Sequence, residues 1–334
     1  AEEDFVLVAV FDGIGGARAA WDRLGLPLAL YISIEIDKEA VRVVSANWPE
    51  AEHRGDVTKL TKADFDVIEQ KASRATRGLV IGGFPCQGLS GLNALRKGLA
   101  DPRSSLVWAL WLLYNDLKGW FPWIRWDLVA ENVKSAPAED VKVISATLGV
   151  RPFFICASWV SFIRRPRLYW CTFPLEDGWA ERCEHNDTYV RVPLSAEAGA
   201  VTRWLSRGCG WPAGGAGGRL PTAVRAIPRK KPPHLPAGID SCDKATLRRW
   251  TADAYAMAPY QYKAEHCVVD AAGLLRVPSA DEREVLMGFK RGYTRPALTS
   301  STYKSALGHT EVVRKALLGN SFHVEVVSWI LSHL

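Results

Sequence analysis

Apolar residues in this chain fall into short unbroken runs set between longer mixed stretches. Residues 5–10, Phe-Val-Leu-Val-Ala-Val, are apolar throughout, as a strand buried on both faces is. Residues 28–34, 79–81 and 126–130, mostly apolar, also read as strands, and 51–54 as a shorter one. Between them, 17–24 has helical composition with Trp21 and Leu24 on one face, and 104–117 is apolar and helical. Strands alternating with helices predict an α/β fold: a doubly wound, mostly parallel sheet covered on both faces. Further on, 153–160 and 167–173 read as a hairpin. Residues 279–289 read as a helix capped by Ser279 with Glu282 three places on, and 311–334 as two helices separated by Gly319-Asn320-Ser321.

Each strand of the first half ends in a chemically distinctive turn. After the first comes Phe11-Asp12-Gly13-Ile14-Gly15-Gly16, and then a helix. Strand, glycine-rich turn and helix form the entrance of a nucleotide-binding βα unit. The spacing is not GxGxxG, and no Lys-Ser/Thr follows, so a dinucleotide or triphosphate is disfavoured. The second strand ends in Glu35-Ile36-Asp37, where such folds bind a ribose hydroxyl, although Asp37 equally suits a helix cap. Asp56, in Gly55-Asp56-Val57, is placed to accept from an adenine amine. An adenosine ligand without a phosphate cradle is implied, and S-adenosylmethionine fits that description.

The third run leads into Gly82-Gly83-Phe84-Pro85-Cys86-Gln87, a thiol on a stiff turn at the carboxyl edge of the sheet. The fourth ends in Glu131-Asn132-Val133, which brings a carboxylate to the same edge. Residues 87–103, rich in Gly, Ser, Asn and basic side chains, read as a mobile loop. Arg164-Arg165-Pro166-Arg167 is either a solvated corner or a set of guanidinium groups aimed at oxygen.

Composition bounds the rest. The chain has 334 residues, is 48% hydrophobic and 23% charged, and carries a net charge of +6. No run is long enough to span a bilayer, and the acidic start lacks a signal-peptide layout. Without an initiating Met, there is room for a longer parent chain. Seven cysteines without regular spacing argue against a disulfide framework. The gaps among Cys183, His185, Cys209, Cys242, His266 and Cys267 match no zinc pattern, so no metal is expected. Residues 198–239 contain no acid. They hold Arg203, Arg207, Arg219, Arg225, Arg229, Lys230 and Lys231 among many glycines, with Trp204 and Trp211 interleaved. Such a segment suits a phosphate backbone, the alternative being a solvated loop.

Taken in order, these pieces resemble the cytosine-carbon-5 DNA methyltransferases over the whole length of the chain. The series is residues 11–16, Glu35 to Asp37, Gly55-Asp56-Val57, Pro85-Cys86-Gln87, Glu131-Asn132-Val133, Arg165-Pro166-Arg167 and Gly319-Asn320-Ser321. Residues 276–288 resemble that family's penultimate block. Arg96-Lys97-Gly98-Leu99 and Arg167-Leu168-Tyr169-Trp170 look closest to its eukaryotic de novo branch. Ile163 departs from the glutamine that many members carry there.

The resemblance implies a Rossmann-like, S-adenosylmethionine-dependent methyltransferase with a smaller inserted target-recognition domain. The catalytic domain would be 1–175 with 305–334, and the recognition region 176–304. Cys86 would be the nucleophile, Glu131 the partner of ring nitrogen 3, and Arg167 the partner of the base carbonyl. Arg165 would support the loop or a phosphate, and Asn132 would orient the site. Phe11, Asp12, Gly13, Gly15, Gly16, Glu35, Asp56, Pro85 and Asn320 would hold the cofactor. Gln87, Ser90, Arg96, Arg225, Arg229, Lys230 and Lys231 would meet double-stranded DNA, whose target base must be flipped out. The same chemistry on transfer RNA, and a catalytically silent DNA-binding regulator on the same fold, are the alternatives. Location would be intracellular: nuclear in a eukaryote, cytoplasmic otherwise.

Overall fold

The computed structural model describes residues 4–91, 93, 95–175, 180–182, 188–190, 204–211, 220, 221, 236, 238–298 and 309–334. The chain divides into two compact units. The first comprises Ala1–Ile155, Pro166–Val192 and Val326–Leu334, and the second Cys156–Arg165 and Pro193–Glu325.

The apolar runs form the sheet of the first unit. Its strands are β1 (Phe5–Val10), β2 (Leu28–Ile34), β3 (Glu52–Arg54), β4 (Arg77–Gly83), β5 (Arg125–Val133), β6 (Phe153–Cys156), β7 (Pro166–Cys171), β8 (Ala180–Arg182) and β9 (Thr188–Val190). Their order is β3-β2-β1-β4-β5-β7-β6-β9-β8. The pairs β2–β3, β1–β2, β1–β4 and β4–β5 are parallel, and β7 runs antiparallel to β5. The helices are α1 (Gly16–Leu24), α2 (Lys38–Asn47), α3 (Val67–Lys71), α4 (Val107–Trp120) and α5 (Ala138–Leu148). All six residues of β1 are buried, because parallel strands covered by crossover helices have no solvent face. Val8, Val80, Leu128, Leu110 and Phe121 belong to one core cluster. The chain order reverses between β1 and β4, and ligands bind at the carboxyl edge of such a switch point.

Three expectations are amended. Residues 153–160 are not one strand: β6 stops at Cys156 and a 3-10 turn takes Ala157–Trp159. The stretch Pro166–Val192 stays with the first unit, and the segment Thr188-Tyr189-Val190, whose residue types favour strands, pairs parallel with β6. At the C-terminus only Val326–Leu334 returns to the first unit, so 305–325 belongs with the second.

The second unit holds α6 (Lys244–Ala252), β10 (Val268–Val269), β11 (Leu275–Arg276), α7 (Ala280–Leu286) and α8 (His309–Asn320); α9 (Val324–Leu331) leads back to the first. α7 opens with the capping box read from the sequence, Ser279 and Glu282 each accepting from the other's backbone N–H. No helix among the described residues is long and apolar enough to cross a membrane.

Gly15, the N-cap of α1, shows how tightly the first turn is built. Its φ is +77°, and an added Cβ would lie 2.4 Å from the Trp48 ring. That ring is held by its Nε1 donating to Asp22 and by an edge contact with Tyr31. Gly15→Ala is therefore expected to cost about 2–4 kcal/mol, left-handed strain plus overpacking. Gly25→Ala, at φ +65° with open space around it, should cost only about 1 kcal/mol. Urea midpoints of the two variants check this, and equal losses would refute the packing account.

Candidate active site

Cys86 opens a single helical turn beyond β4: Leu89 and Ser90 donate their backbone N–H groups to its carbonyl at 2.9 and 2.8 Å. The side chain is partly buried against the main core. Asn132, 1% exposed, fixes the approach to it. Asn132 Nδ2 donates to the Phe84 carbonyl at 2.9 Å, and its Oδ1 accepts from Val133 N–H at 2.8 Å. One side chain therefore ties the Phe84-Pro85-Cys86 turn to β5.

Glu131 precedes Asn132 and pairs in register with Gly83 of β4 and Tyr169 of β7. The antiparallel run of β7 brings Arg167 back beside it. Arg167 Nε lies 2.7 Å from Glu131 Oε1, both side chains mostly buried, and its Nη1 donates to the Pro166 carbonyl. Cys86, Glu131, Asn132 and Arg167 are thus all carried by β4, β5 and β7 of one unit. Arg165 belongs to the second unit, where its Nη2 donates to the carbonyls of Gly319 and Ser321. Asn320 lies between those two residues, at the end of α8.

The glycine turn sits above β1 and β2. Phe11, Gly13 and Gly15 all have positive φ. Gly13 donates its N–H to Glu35 Oε2 at 2.8 Å, while Oε1 accepts from the N–H groups of Ile36 and Asp37 at 2.8 Å. Glu35 is thereby fixed against the turn by three backbone donors. Asp37 caps α2, accepting from Glu39 and Ala40. Asp56 accepts from the backbone and hydroxyl of Thr58 at 3.0 and 2.7 Å, and those bonds hold its carboxyl below the ordinary range. A Cβ at Gly13 would meet nothing within 4 Å, and Ile36 is 75% exposed. Open space over a glycine, beside a bare apolar side chain and two fixed carboxylates, fits an adenosine group.

Asp12 differs from the other acids in this turn. It is 3% exposed, and its Oδ2 accepts from the hydroxyls of Tyr31 and Ser33, the latter at 2.6 Å. Tyr31 and Ser33 stand two apart on β2 and so share a face. Oδ1 is buried without a hydrogen-bond partner among the described residues. Burial raises the Asp12 carboxyl to about 7, against the lowering effect of the two hydroxyls.

The loop after Cys86 is stitched down where it is described. Arg96 Nη1 donates to the Ser135 carbonyl at 2.7 Å and to the Leu89 carbonyl at 3.3 Å, and Gly91 donates to Ser135 Oγ. A Cβ on Gly88 would fall 2.4 Å from both Asp101 Cβ and Ser104 Oγ. Gln87 Oε1 is buried without a partner among the described residues. Ser90 is half-buried. Sequence reading passed over Asp101 and Arg103: Oδ1 of Asp101 accepts from the backbone N and Nε of Arg103, and Oδ2 from its Nη2 at 2.7 Å. The Asp-x-Arg spacing was their available signal. Arg225, Arg229, Lys230 and Lys231 lie outside the described residues.

Two outcomes are expected. Asn132→Ala would strand the Phe84 carbonyl and the Val133 N–H in a buried site, costing about 1–3 kcal/mol by denaturant titration; no loss would sink the tie. For Asp12, the folded carboxyl binds its proton more tightly than the unfolded one. Its contribution is therefore complete below pH 4 and is lost as the pH rises towards 7. Asp12→Asn keeps an acceptor for both hydroxyls without the charge, so wild type should fall relative to the variant by about 2–4 kcal/mol across that window. Parallel stability curves at pH 4 and 8 would refute the burial account.

Residues 5–145 match the model of C-5 cytosine-specific DNA methylases. Over 107 residues the chain is 33% identical to DNA (cytosine-5)-methyltransferase DRM2 of Arabidopsis thaliana, a stretch covering 30% of this chain and 17% of that one. It is also 33% identical over 102 residues to the type II methyltransferase M.NlaX of Neisseria lactamica, covering 30% and 29%. The matched stretch thus spans less than a third of each curated relative. Among solved structures, a DNMT2 mutant of Spodoptera frugiperda shares the fold at TM-score 0.57 and 17% identity, with 99% of each chain covered. The S. pombe Dnmt2 methyltransferase does so at 0.55 and 20%, with 98% of this chain and 97% of that one covered. The stretch that resembles this methylase family, residues 5–145, is less than half of the chain and holds Cys86, Glu131 and Asn132.

Proposed function

We propose that this chain transfers a methyl group from S-adenosylmethionine to carbon 5 of cytosine in DNA, through a covalent Cys86 adduct. The observation that carries the reading is the shared footing of the reactive groups. Asn132 bonds the turn that presents Cys86, and the adjoining Glu131 is oriented by Arg167 at 2.7 Å. A nucleophile and an acid–base group are thereby held on neighbouring strands in one fixed relation.

Carbon 5 of cytosine is too weak a nucleophile to be methylated unaided. The Cys86 thiolate adds to carbon 6, and the electron pair of the 5,6 double bond is pushed towards carbon 5 and ring nitrogen 3. A proton carried by Glu131 is given to nitrogen 3 as that charge develops and returns to Glu131 when Cys86 leaves. With Oε1 engaged by Arg167, Oε2 is the oxygen left for the ring. Arg167 also supplies the cation for the base carbonyl. S-adenosylmethionine, when bound, supplies an electrophilic methyl group. Once carbon 5 carries the methyl, a base such as water takes its proton, the double bond reforms, and Cys86 leaves as thiolate.

The chain's own groups suit the cofactor. The positive-φ turn at Phe11, Gly13 and Gly15 leaves backbone open, and Glu35, fixed by three N–H groups, suits ribose hydroxyls. Asp56 suits the adenine amine, and Pro85 and Asn320 complete the set as the resemblance implies. Gly16 starts α1, and Asp12 supports the turn from below through Tyr31 and Ser33. Double-stranded DNA would be read by the second unit, with 198–239 as its basic segment and Gln87 and Ser90 near the flipped base. Arg96 serves this reading by shaping the loop, since it donates to two carbonyls. The site of action would be wherever the genome lies, the nucleus in a eukaryote.

Labelled methyl transfer from S-adenosylmethionine to duplex DNA tests this, with structured RNA alongside and Cys86→Ala as control. Label on DNA should vanish in the variant, a fall of at least about 10³-fold for loss of a covalent nucleophile. Label on RNA alone would move the substrate and keep the chemistry. Undiminished transfer by the variant would end the mechanism.

A further inference from the structure

Cys86 begins a single helical turn, and a turn that is not continued leaves its carbonyl groups without helical donors. The loop that follows supplies them. Asn93 Nδ2 donates to the Gln87 carbonyl at 2.8 Å. Gly98 N–H donates to the Gly88 carbonyl at 2.9 Å. Arg96 Nη1 donates to the Leu89 carbonyl at 3.3 Å. Successive carbonyls of the turn thus each receive a donor from the segment 93–98. Asn93 is itself set in place: its Oδ1 accepts from Leu95 N–H at 3.0 Å, and its own N–H donates to the Ser90 carbonyl at 3.0 Å. Gly98 suits its place through a φ of +61°.

The same segment is fastened to the chain just beyond Glu131. Arg96 Nη1 also donates to the Ser135 carbonyl at 2.7 Å, and Gly91 N–H donates to Ser135 Oγ at 2.9 Å. Ser135 lies in a closed turn, since Ala136 N–H donates to the Val133 carbonyl at 3.2 Å. On the other side of Cys86, Asn132 holds the Phe84 carbonyl. The segment that bears the thiol is therefore gripped before and after, both times from residues that follow closely on Glu131.

From this geometry we infer that Asn93 and Arg96 are positioning residues, which cap the turn that Cys86 begins and tie it to Ser135. The cap keeps the thiol and the Glu131 carboxyl in one fixed relation, so the inference rests on the roles proposed for those two groups. It also gives Arg96 work that its charge does not suggest. A cation in a loop beside a reactive turn reads as a phosphate contact, yet its Nη1 is already divided between two carbonyls. Leu89 is fully buried and anchors the turn to the core without the cap. Arg96 and Ser135 are exposed, so the cap governs local opening of the turn more than global stability.

Hydrogen exchange reads the cap directly, because Leu89 and Ser90 donate their N–H groups to the Cys86 carbonyl. Peptides spanning 86–90 would be followed by mass spectrometry in wild type, Asn93→Asp, Arg96→Met and Arg96→Lys. Asn93→Asp keeps an oxygen for Leu95 and removes only the donor to Gln87. Exchange should quicken about 3–10-fold in Asn93→Asp and in Arg96→Met, the effect of losing one hydrogen bond. Arg96→Lys, which keeps a donor, should restore most of the protection. Peptides of β1 should exchange as in wild type, which establishes that the fold is intact. This measurement needs no methyl transfer, so its failure is separable from failure of the proposed reaction. In the transfer assay Arg96→Met should lower kcat about 10-fold and leave the KM for S-adenosylmethionine within about 2-fold. Unchanged exchange at 86–90 in both Asn93→Asp and Arg96→Met would overturn the inference. So would weaker DNA binding by Arg96→Met with exchange unchanged, because the arginine would then be a backbone contact.

Discussion

The carboxyl edge of the sheet at β4 and β5 depends on one amide. Asn132 is buried, and its two polar atoms are divided between two strands' worth of backbone: Nδ2 on the Phe84 carbonyl, Oδ1 on the Val133 N–H. A sheet fixes positions only up to the last ladder bond, and Gly83 and Glu131 form the last pair of β4 and β5. Beyond it the chain must turn, and nothing in strand geometry decides where the next residues go. Asn132 extends the constraint to Phe84, two residues before Cys86. The amide suits this place because a buried carbonyl needs a donor and a buried N–H needs an acceptor. An aspartate offers no donor, and an apolar residue offers neither.

The acids at the neighbouring strand ends show how similar side chains are given different work by position. Glu35 meets three N–H groups, and those bonds lock the glycine turn to the end of β2. Asp12, one residue beyond the turn's start, points beneath it and meets only hydroxyls. Hydroxyl donors do not repay the loss of water around a charge, so Asp12 holds its proton to about pH 7. The turn thus has an outer support tied by backbone N–H groups and an inner one that is half protonated near pH 7.

Much of this was legible from residue order. Unbroken apolar runs gave strands because parallel sheets bury both faces, and the turn after each run fell at the carboxyl edge. Phe11 to Gly16, Glu35, Asp56, Cys86 and Glu131 could be placed on that edge without coordinates. Three things were not legible. The bond from Asn132 to Phe84 spans 48 residues and carries no local signature. Asp12 read as one more turn acid, since its partners Tyr31 and Ser33 lie on another strand. Asp101 and Arg103 looked like ordinary loop charges, and only the crowding of Gly88 against the Asp101 side chain ties that pair to the turn that Cys86 begins. In the other direction, 153–160 looked like one strand because apolar content cannot say where a sheet stops needing a partner.

The net charge of +6 also changes meaning once partners are seen. In the second unit Arg276 is bidentate on Glu282, and Arg314 bonds Glu284 at 2.8 Å. Arg165, Arg249, Arg283 and Arg291 all donate to backbone carbonyls. These guanidinium groups are hubs for a unit with small apolar clusters, where planar forks of donors close loops that side-chain packing alone would leave loose. Removing either member of such a buried pair leaves a stranded charge, a far larger penalty than the pair's net worth. A basic composition therefore overstates the charge offered to a polyanion, since several arginines are committed to the fold. The basic excess beyond those hubs is concentrated in the longest acid-free stretch of the sequence, 198–239, the segment to which the proposed function gives the nucleic-acid backbone.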